Sequence, residues 1–317
     1  MSNYKPLQGM EVPRYAGLAT FFRLPINENP SSSEIDIGII GVPWDGGTTN
    51  RPGARHGPRE VRSASSLVRL YHPVSLKSPY DVSKVADLGD CSVNPADLKD
   101  SLSRIENFYT NINKLGIKPI SIGGDHLISL PILRGIVKDK PLGMFHFDSH
   151  TDTWDSYFGG FKYTHGTPFR RAIEENLLDP KRIVMLGIRG SLYDPKDLDW
   201  AKEKGVTIIT IDEFFKYGIN KSMEIVKKVI GNNDAYLSFD IDGIDPTFAP
   251  GTGTPEVGGF TVRESQGILR ELSNINFVGA DVVEVSPPFD VNNQTSLVAA
   301  NIAFEILCLM TKTSGKL

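Results

Sequence analysis

Two carboxylates and an imidazole alternate along residues 145–155, which read FHFDSHTDTWD. Asp148, His150 and Asp152 lie two residues apart, and the apolar run directly before them is typical of a buried strand. Side chains two apart on an extended backbone point to the same side. We therefore predict that these three side chains converge at the end of that strand, as the ligands of a metal ion do.

A second pair of carboxylates repeats this spacing at Asp240 and Asp242. Four carboxylates gathered in one place repel one another unless cations neutralise them, and two divalent ions would do so. His126 completes a set of four carboxylates and two imidazoles, which suits manganese better than a thiolate-dependent metal, with nickel, cobalt and zinc as alternatives. Two ions about 3.5–4 Å apart share a water and lower its pKa, which gives a hydroxide nucleophile near neutral pH.

Each cluster alone also has a simpler interpretation, because such acidic motifs are often solvated loop residues. What favours a metal site is that three separate clusters each directly follow a predicted strand. The other histidines are interpreted differently. We predict that His146 points away from the cluster as a packed, hydrogen-bonded core residue, and that His72 lies at the surface beside Pro73.

From residue 35 onward, eight short β-rich runs alternate with helical stretches, which is typical of parallel βαβ units. We predict an α/β fold in which residues 35–317 form a single doubly wound domain with a mostly parallel, eight-stranded sheet, preceded by an irregular arm at residues 1–34. Sites in such folds form beyond the carboxyl ends of the strands, where the clusters fall. The predicted strands are 35–42, 84–88, 118–122, 142–147, 182–188, 206–211, 235–239 and 277–285, and the predicted helices are about 58–70, 96–115, 127–138, 167–177, 195–204, 221–231, 261–273 and 295–312.

The composition excludes several classes of partner. The chain has 34 basic and 38 acidic residues and no basic block, so we predict no nucleic-acid partner. Cys91 and Cys308 are too few for a disulfide framework, which fits a reducing compartment. The sequence shows neither a signal-peptide pattern at its start nor about 18 uninterrupted apolar residues. We therefore predict a soluble, cytoplasmic protein without a membrane partner.

Taken together, the motifs resemble those of the ureohydrolase family, which includes arginases, agmatinases and guanidino-acid hydrolases and shares its architecture with deacetylases. The resemblance covers about residues 35–310. Local runs at 154–159 and 41–51 look most like bacterial guanidinopropionase and guanidinobutyrase. The matching motifs are GGDH at 123–126, DSHTD at 148–152, SFDIDGIDP at 238–246, APGTGTPE at 249–256 and VEVSPP at 283–288.

The resemblance implies a site with two divalent metal ions, manganese first and nickel second, in which a metal-bridging hydroxide attacks a guanidinium carbon and releases urea and an amine. Glu284 matches the carboxylate that pairs with the guanidinium N–H groups. His165 matches a proton-shuttling histidine, suited to protonating the leaving amine. Asp152 joins these two as a catalytic residue. The implied ligands are His126, Asp148, Asp152 and Asp240 for one ion and Asp148, His150, Asp240 and Asp242 for the other.

Arginine is disfavoured as the substrate, because Trp154 stands where arginases have an asparagine that holds the amino-acid end. Trp154 and Tyr157 are predicted to line the substrate site, for agmatine or a short guanidino acid such as 3-guanidinopropionate or 4-guanidinobutyrate. Free guanidine is the alternative if the two rings crowd the cleft. Arg51 and Arg189 are candidates to meet a substrate carboxylate. Ser149 replaces the alanine usual in the family and is predicted to face away from the ligands.

Two other functions stay open. A deacetylase-like amidohydrolase would use a single zinc ion, against which His126 and Asp242 argue. A guanidino-ligand sensor would have no need of the complete ligand set. The resemblance also implies a homo-oligomer, either a trimer or a hexamer, acting on a small guanidino substrate.

Overall fold

The computed structural model describes residues 4–31 and 34–314, and a single sheet forms its centre. Eight helices connect and cover the strands of this sheet within the described chain. The strands are β1 (Ile37–Val42), β2 (Val85–Asp90), β3 (Lys118–Gly123), β4 (Leu142–Phe147), β5 (Leu178–Ile188), β6 (Thr207–Thr210), β7 (Ala235–Asp240) and β8 (Phe277–Val283). The helices are α1 (Gly57–Ala64), α2 (Leu98–Lys114), α3 (Ser129–Ile136), α4 (Pro168–Glu174), α5 (Asp199–Lys204), α6 (Ile211–Ile230), α7 (Val262–Glu271) and α8 (Gln294–Met310).

The strands lie in the order β2-β1-β3-β8-β7-β4-β5-β6. Among the described residues every neighbouring pair is parallel, so the predicted α/β sheet is confirmed and is entirely rather than mostly parallel. The four strands β3, β8, β7 and β4 are adjacent in the middle of the sheet. Because their carboxyl ends meet at one edge, the residues that follow them come within reach of one another.

The core consists of two apolar clusters, one on each face of the sheet. Ile39 and Phe145 belong to one cluster, whereas Ile40 and Met144, their neighbours in β1 and β4, belong to the other. This division follows from the alternation of side chains along a strand. Because helices cover both faces, strands such as β1 and β4 are buried along their whole length. They hold the residues at their carboxyl ends in fixed positions.

Helix α6 begins ten residues earlier than predicted. Thr210 and Glu213 form a capping box, in which the Thr210 side chain accepts from the Glu213 N–H and the Glu213 carboxylate accepts from the Thr210 N–H. The segment from Ile211 is therefore helical rather than the end of a strand. The helix is kinked at Gly218, where φ is +73°. A predicted capping box at the start of α7, between Thr261 and Glu264, is confirmed.

His72 is fully buried, and the prediction that it lies at the surface was wrong. Its Nε2 lies 2.9 Å from Glu305 Oε2 in α8, and the Ser75 N–H donates to its Nδ1 at 3.2 Å. The contact spans 233 residues of sequence, so the local context of His72 gave no sign of it. None of the helices in residues 4–31 and 34–314 is long and apolar enough to cross a membrane.

The segment before β1 has little regular structure but packs against the domain. Its described part contains one 3₁₀ turn, Phe21–Arg23. The Phe21 N–H donates to Asp87 Oδ2 at 2.8 Å, and Arg62 donates to the same oxygen at 2.9 Å while lying over the Phe21 ring. The predicted arm also includes residues 1–3 and 32–33, which lie outside the described residues.

Candidate metal centre

The same local turn follows three of the four central strands. Asp125, Asp148 and Asp240 each accept a hydrogen bond from the backbone N–H two residues further on, at 3.0, 2.6 and 2.8 Å. Such turns are a common use of aspartate, because the short carboxylate replaces a backbone acceptor. Each turn reverses the chain at the carboxyl edge of the sheet, and the residues that follow it remain at that edge.

The first group of candidate ligands surrounds His126. Its Nδ1 lies 2.9 Å from Asp152 Oδ2, 3.1 Å from Asp240 Oδ2 and 3.2 Å from Asp148 Oδ2. The residues come from three separate segments, after β3, after β4 and at the end of β7. Atoms that bind one ion at about 2.0–2.2 Å lie about 3 Å from one another, which is the separation found here.

The second group centres on His150. Its Nδ1 lies 3.1 Å from Asp242 Oδ2 and 3.5 Å from Asp148 Oδ1. Asp148 therefore presents Oδ2 to the first group and Oδ1 to the second. A carboxylate shared in this way is placed to bridge two ions, and the described residues contain two groups of potential ligands that have Asp148 in common.

The charges of the site favour cations. Burial, together with the charges of Asp242 and Asp148, raises the pKa of Asp240 well above its usual range. Burial and Asp148 also raise the pKa of Asp242. Burial alone lowers the pKa of His126, but its three neighbouring carboxylates outweigh that effect and raise the pKa well above normal. A position that holds a proton so strongly also attracts a metal ion, since both neutralise the same carboxylates.

His126 is oriented to give its Nδ1 lone pair to a metal. Its Nε2 lies 2.7 Å from Ser238 Oγ, and that hydroxyl donates to Asp281 Oδ1 at 2.7 Å. The Ser238 proton is therefore used, and Nε2–H is the donor to Ser238. In the neutral imidazole Nδ1 is then the nitrogen that carries the lone pair, and it is buried without a hydrogen-bond partner among the described residues. The two hydrogen bonds that link His126 to Ser238 and Ser238 to Asp281 fix the tautomer that a metal requires. The candidate ligands therefore fit a bound cation.

The prediction that His146 points away from the cluster was wrong. His146 is buried and hydrogen-bonded, as predicted, but its Nε2 lies 2.7 Å from Asp148 Oδ2. Residues 146 and 148 are two apart, and the alternation that grouped Asp148 with its neighbours applies equally to His146. The signal was present in the sequence. His146 belongs to the site and holds Asp148 in place.

Ser149 was also placed wrongly, because its side chain faces the ligands. Strand β4 ends at Phe147, so the alternation of an extended chain does not continue to this residue. Ser149 Oγ donates to Asp242 Oδ1 at 2.7 Å. Asp152 departs further from extended geometry, with φ at +51°. The ligands after β4 therefore converge through a turn and a left-handed residue, and strand periodicity is not the cause.

Glu284 and His165 form a pair beside the candidate ligands. Glu284 follows β8 with φ at +64°, an uncommon conformation for a residue with a side chain, and it is 1% exposed. Its Oε1 accepts from the His126 N–H at 2.8 Å and lies 2.9 Å from His165 Nδ1. Thr49 Oγ1 lies 2.7 Å from the other ring nitrogen of His165. Thr49 was not singled out from the sequence, since no motif marks it.

A cleft of about 510 Å³ opens above this pair. Trp154 and Tyr157 line it, as does Tyr193 from the loop after β5. The Trp154 ring meets Tyr193 and Tyr157 edge-on, with centroids 5.7 and 6.3 Å apart. His150, Asp152, His165 and Asp240 line the same cleft as the three rings. The aromatic side chains and the candidate metal centre therefore share one cleft.

The two arginines considered as carboxylate partners differ in their surroundings. Arg189 donates to the carbonyl oxygens of Gly187, Asp242, Gly243 and Glu256, which ties the loops together. Arg51 lines the cleft and donates through Nε and Nη2 to the carbonyls of residues 253 and 252. Of the two arginines, Arg51 is the one that lines the cleft, and its guanidinium is not enclosed by four carbonyls as that of Arg189 is.

The all-parallel sheet, with candidate ligands for two cations at its carboxyl edge, defines an arginase-like α/β hydrolase. Comparison with known proteins gives the same answer. The model of the Arginase family matches residues 35–309. The chain belongs to this family.

Individual relatives are similar over almost the whole chain. A guanidinopropionase of Pseudomonas aeruginosa is 55% identical over 312 residues, covering 98% of both chains. A guanidinobutyrase of the same species is 43% identical and covers 97% of both. Among solved structures, the proclavaminate amidino hydrolase of Streptomyces clavuligerus superposes with a TM-score of 0.90 at 38% identity, covering 95% of this chain and 99% of that one.

Proposed function

We propose that this protein is an amidinohydrolase with two divalent cations, which cleaves a non-arginine guanidino compound to urea and an amine. The observation that carries the proposal is the position of Asp148, which is shared by the two ligand groups. Glu284, the candidate partner of a guanidinium, lies at the edge of the same site. Family membership and the 55% identity to a guanidinopropionase support it.

The ligands proposed for the cations are four carboxylates and two imidazoles. When bound, the cations would lower the pKa of a water molecule and stabilise the oxygen that adds to the guanidinium carbon. Oxygen-rich sets suit manganese, and imidazole suits nickel, so we propose manganese with nickel as the second candidate. One ion would be held by His126, Asp148, Asp152 and Asp240, and the other by Asp148, His150, Asp240 and Asp242.

Glu284 is proposed to bind the guanidinium group. Both hydrogen bonds that its carboxylate makes to the described residues end on Oε1, from the His126 N–H and His165. Oε2 is then the oxygen that accepts from a guanidinium N–H in a charge-assisted hydrogen bond. Gly253 keeps this oxygen accessible, because a β-carbon there would lie 3.6 Å from Oε2 and fill the space beside it.

His165 is proposed to protonate the leaving amine through Nδ1. Burial alone lowers its pKa, but Glu284 more than compensates and raises the pKa to about 9. Nδ1 therefore carries a proton near neutral pH and lies 2.9 Å from the carboxylate proposed to hold the guanidinium. A general acid with a pKa of about 9 is close in basicity to the amine that it protonates as the amine leaves.

The pH profile tests the role of His165. Because the pKa is raised to about 9, the proton is present below that pH and lost above it, so kcat should fall as pH rises through about 9. The His165→Asn variant should lower kcat by about 10²-fold and lose this alkaline limb, as expected when a general acid is removed. Initial rates of urea release from pH 6 to 10.5 provide the measurement. An unchanged alkaline limb in the variant would exclude His165 as the proton donor.

A short guanidino acid is the proposed substrate. Arg51 places a positive charge on the cleft wall, which attracts a carboxylate at the far end of the substrate and repels an amine. Phe289 lies under the guanidinium, with Arg51 Cζ 4.4 Å from the ring centroid, and helps to fix its direction. The similarity to a guanidinopropionase and a guanidinobutyrase supports this choice.

A urea-release screen tests the substrate proposal. The substrates are 3-guanidinopropionate, 4-guanidinobutyrate, agmatine, arginine and free guanidine, each offered to protein reconstituted with manganese and, separately, with nickel. We expect kcat/KM to be highest for one of the two guanidino acids and lowest for arginine. A preference for agmatine would contradict the role of Arg51, and failure on every guanidino compound by protein holding two metals would contradict the function itself.

Free guanidine is the second candidate substrate. The edge-on packing of Trp154 against Tyr193 and Tyr157 narrows the entrance, which favours a small substrate. A hydrolase of guanidine would release ammonia in place of a larger amine. It would show its highest kcat/KM on guanidine in the same screen.

Two further proposals concern the state of the protein in the cell. We propose a homo-oligomer, trimer or hexamer, and a cytoplasmic location. The second agrees with Cys91 and Cys308, which are buried free thiols whose pKa burial raises to about 12. Such thiols are unreactive and form no disulfide with each other.

A further inference from the structure

Ser149 lies between two candidate ligands and bonds to a third. Its Oγ and its backbone N–H both donate to Asp242 Oδ1, at 2.7 and 3.2 Å. Ser149 and Asp242 are both almost completely buried, with exposed fractions of 0% and 1%. The hydroxyl has one proton, and the short bond to Oδ1 uses it. The two donors therefore occupy one oxygen of a carboxylate that is 93 residues away in sequence.

The other oxygen of Asp242 points the opposite way. Oδ2 lies 3.1 Å from His150 Nδ1, which also lies 3.1 Å from Ser149 Oγ. Thr254 Oγ1 donates to Oδ2 at 3.3 Å, a weaker contact. Asp242 is therefore held with Oδ1 against Ser149 and Oδ2 toward the second ligand group.

We infer that Ser149 is a positioning residue that holds the Asp242 carboxylate in place as a ligand, and so raises the affinity of the second metal position. A carboxylate that is free to rotate loses that freedom when it binds an ion. Here two donors on Oδ1 already fix the plane of the carboxylate, with Oδ2 toward the second ligand group. The inference rests on the proposed two-cation centre and does not depend on which guanidino compound is cleaved.

Replacing Ser149 by alanine removes the shorter bond and leaves the longer one. The backbone N–H still donates to Oδ1 at 3.2 Å, but Asp242 gains rotational freedom that metal binding must then remove. Loss of an outer contact to a metal ligand typically weakens metal binding by about 10–100-fold. We expect the lower end of that range, about 10-fold, at the second position. The first position, whose proposed ligands do not include Asp242, should change by less than about 2-fold.

Chelator competition with manganese as the probe tests this inference. Wild type and Ser149→Ala protein are titrated with a chelator, and the two metal equivalents are followed separately. The low-temperature electron paramagnetic resonance spectrum gives a second readout, because paired Mn²⁺ ions are spin-coupled and a single ion is not. At a free-metal concentration that fills both positions in wild type, the variant should show the single-ion spectrum.

Ser121→Ala is the matched control. Ser121 is a fully buried serine in β3 whose hydroxyl lies 2.6 Å from the Tyr109 hydroxyl, so the variant loses a buried hydroxyl away from the ligands. Its two metal affinities should equal those of wild type. The inference is overturned if Ser149→Ala binds both equivalents as wild type does, or loses both to the same extent. Wild type that binds fewer than two equivalents would instead contradict the proposed centre.

Discussion

The Asp148→Asn variant is expected to release urea about 10³-fold or more slowly than wild type, since the cations supply several kcal/mol of transition-state stabilisation. Asp148 is common to the two groups of potential ligands found among the described residues, with Oδ2 near His126 and Oδ1 near His150, and in the proposed ligand sets Asp240 is the second shared residue. An amide of the same shape keeps one carbonyl oxygen but loses the negative charge. One of the two shared carboxylates is then lost, and with it the water activation that needs both ions.

Metal content separates this cause from simple misfolding. The variant should hold fewer than two ions per chain under conditions in which wild type holds two. Asp155→Asn is the control, because Asp155 lies in the same loop but has a side chain 52% exposed, which pairs with Arg171 instead of with the candidate ligands. It should keep normal activity and metal content. An Asp148→Asn variant with two ions and more than a tenth of wild-type activity would contradict a bridging role.

The Glu284→Gln variant should lose substrate binding while retaining both ions. Removing the charge from a buried, hydrogen-bonded carboxylate that pairs with a cationic partner costs about 2–5 kcal/mol, so kcat/KM should fall by about 30-fold or more. Glutamine has the same size and meets the same backbone strain at φ +64°, and it can still accept from the His126 N–H. The fold and the ligand groups should therefore be unaffected.

Steady-state kinetics and metal analysis on the same preparation check this prediction. A rise in KM or a fall in kcat, with two ions per chain, would agree with a guanidinium-binding role. Glu264→Gln, a change in the capping box of α7, controls for the loss of a carboxylate elsewhere and should leave kcat/KM unchanged. If Glu284→Gln lost metal along with activity, Glu284 would act on the ligands through His126 instead of on the substrate.

The positions of the ligands along the chain were predictable because they follow strands that are adjacent in the sheet. The local mechanism was not. Strand alternation does not continue beyond Phe147 as predicted, because the chain turns at Asp148 and Asp240, where each carboxylate accepts from the N–H two residues further on. Both routes bring the clusters to the same edge, since an aspartate at a strand end is suited to form such a turn.

Two of the errors fall where a contact spans distant segments, whereas the position of His146 follows from its spacing to Asp148. Ser149 meets Asp242 and His72 meets Glu305 across 93 and 233 residues, and no local pattern encodes either pairing. The start of α6 was missed for a different reason. Its capping box at Thr210 and Glu213 is a local signal, but the β-branched residues before it favour a strand, and the two tendencies compete.

The number of metal ions per chain tests the account most directly. Protein stripped with chelator, reconstituted with manganese and freed of excess metal is analysed by mass spectrometry of its metal content, with chain concentration from amino-acid analysis. Ligand groups joined by Asp148 predict two ions per chain and a spin-coupled pair. One ion per chain, as a deacetylase-like hydrolase would hold, or none at all, would contradict the proposed centre.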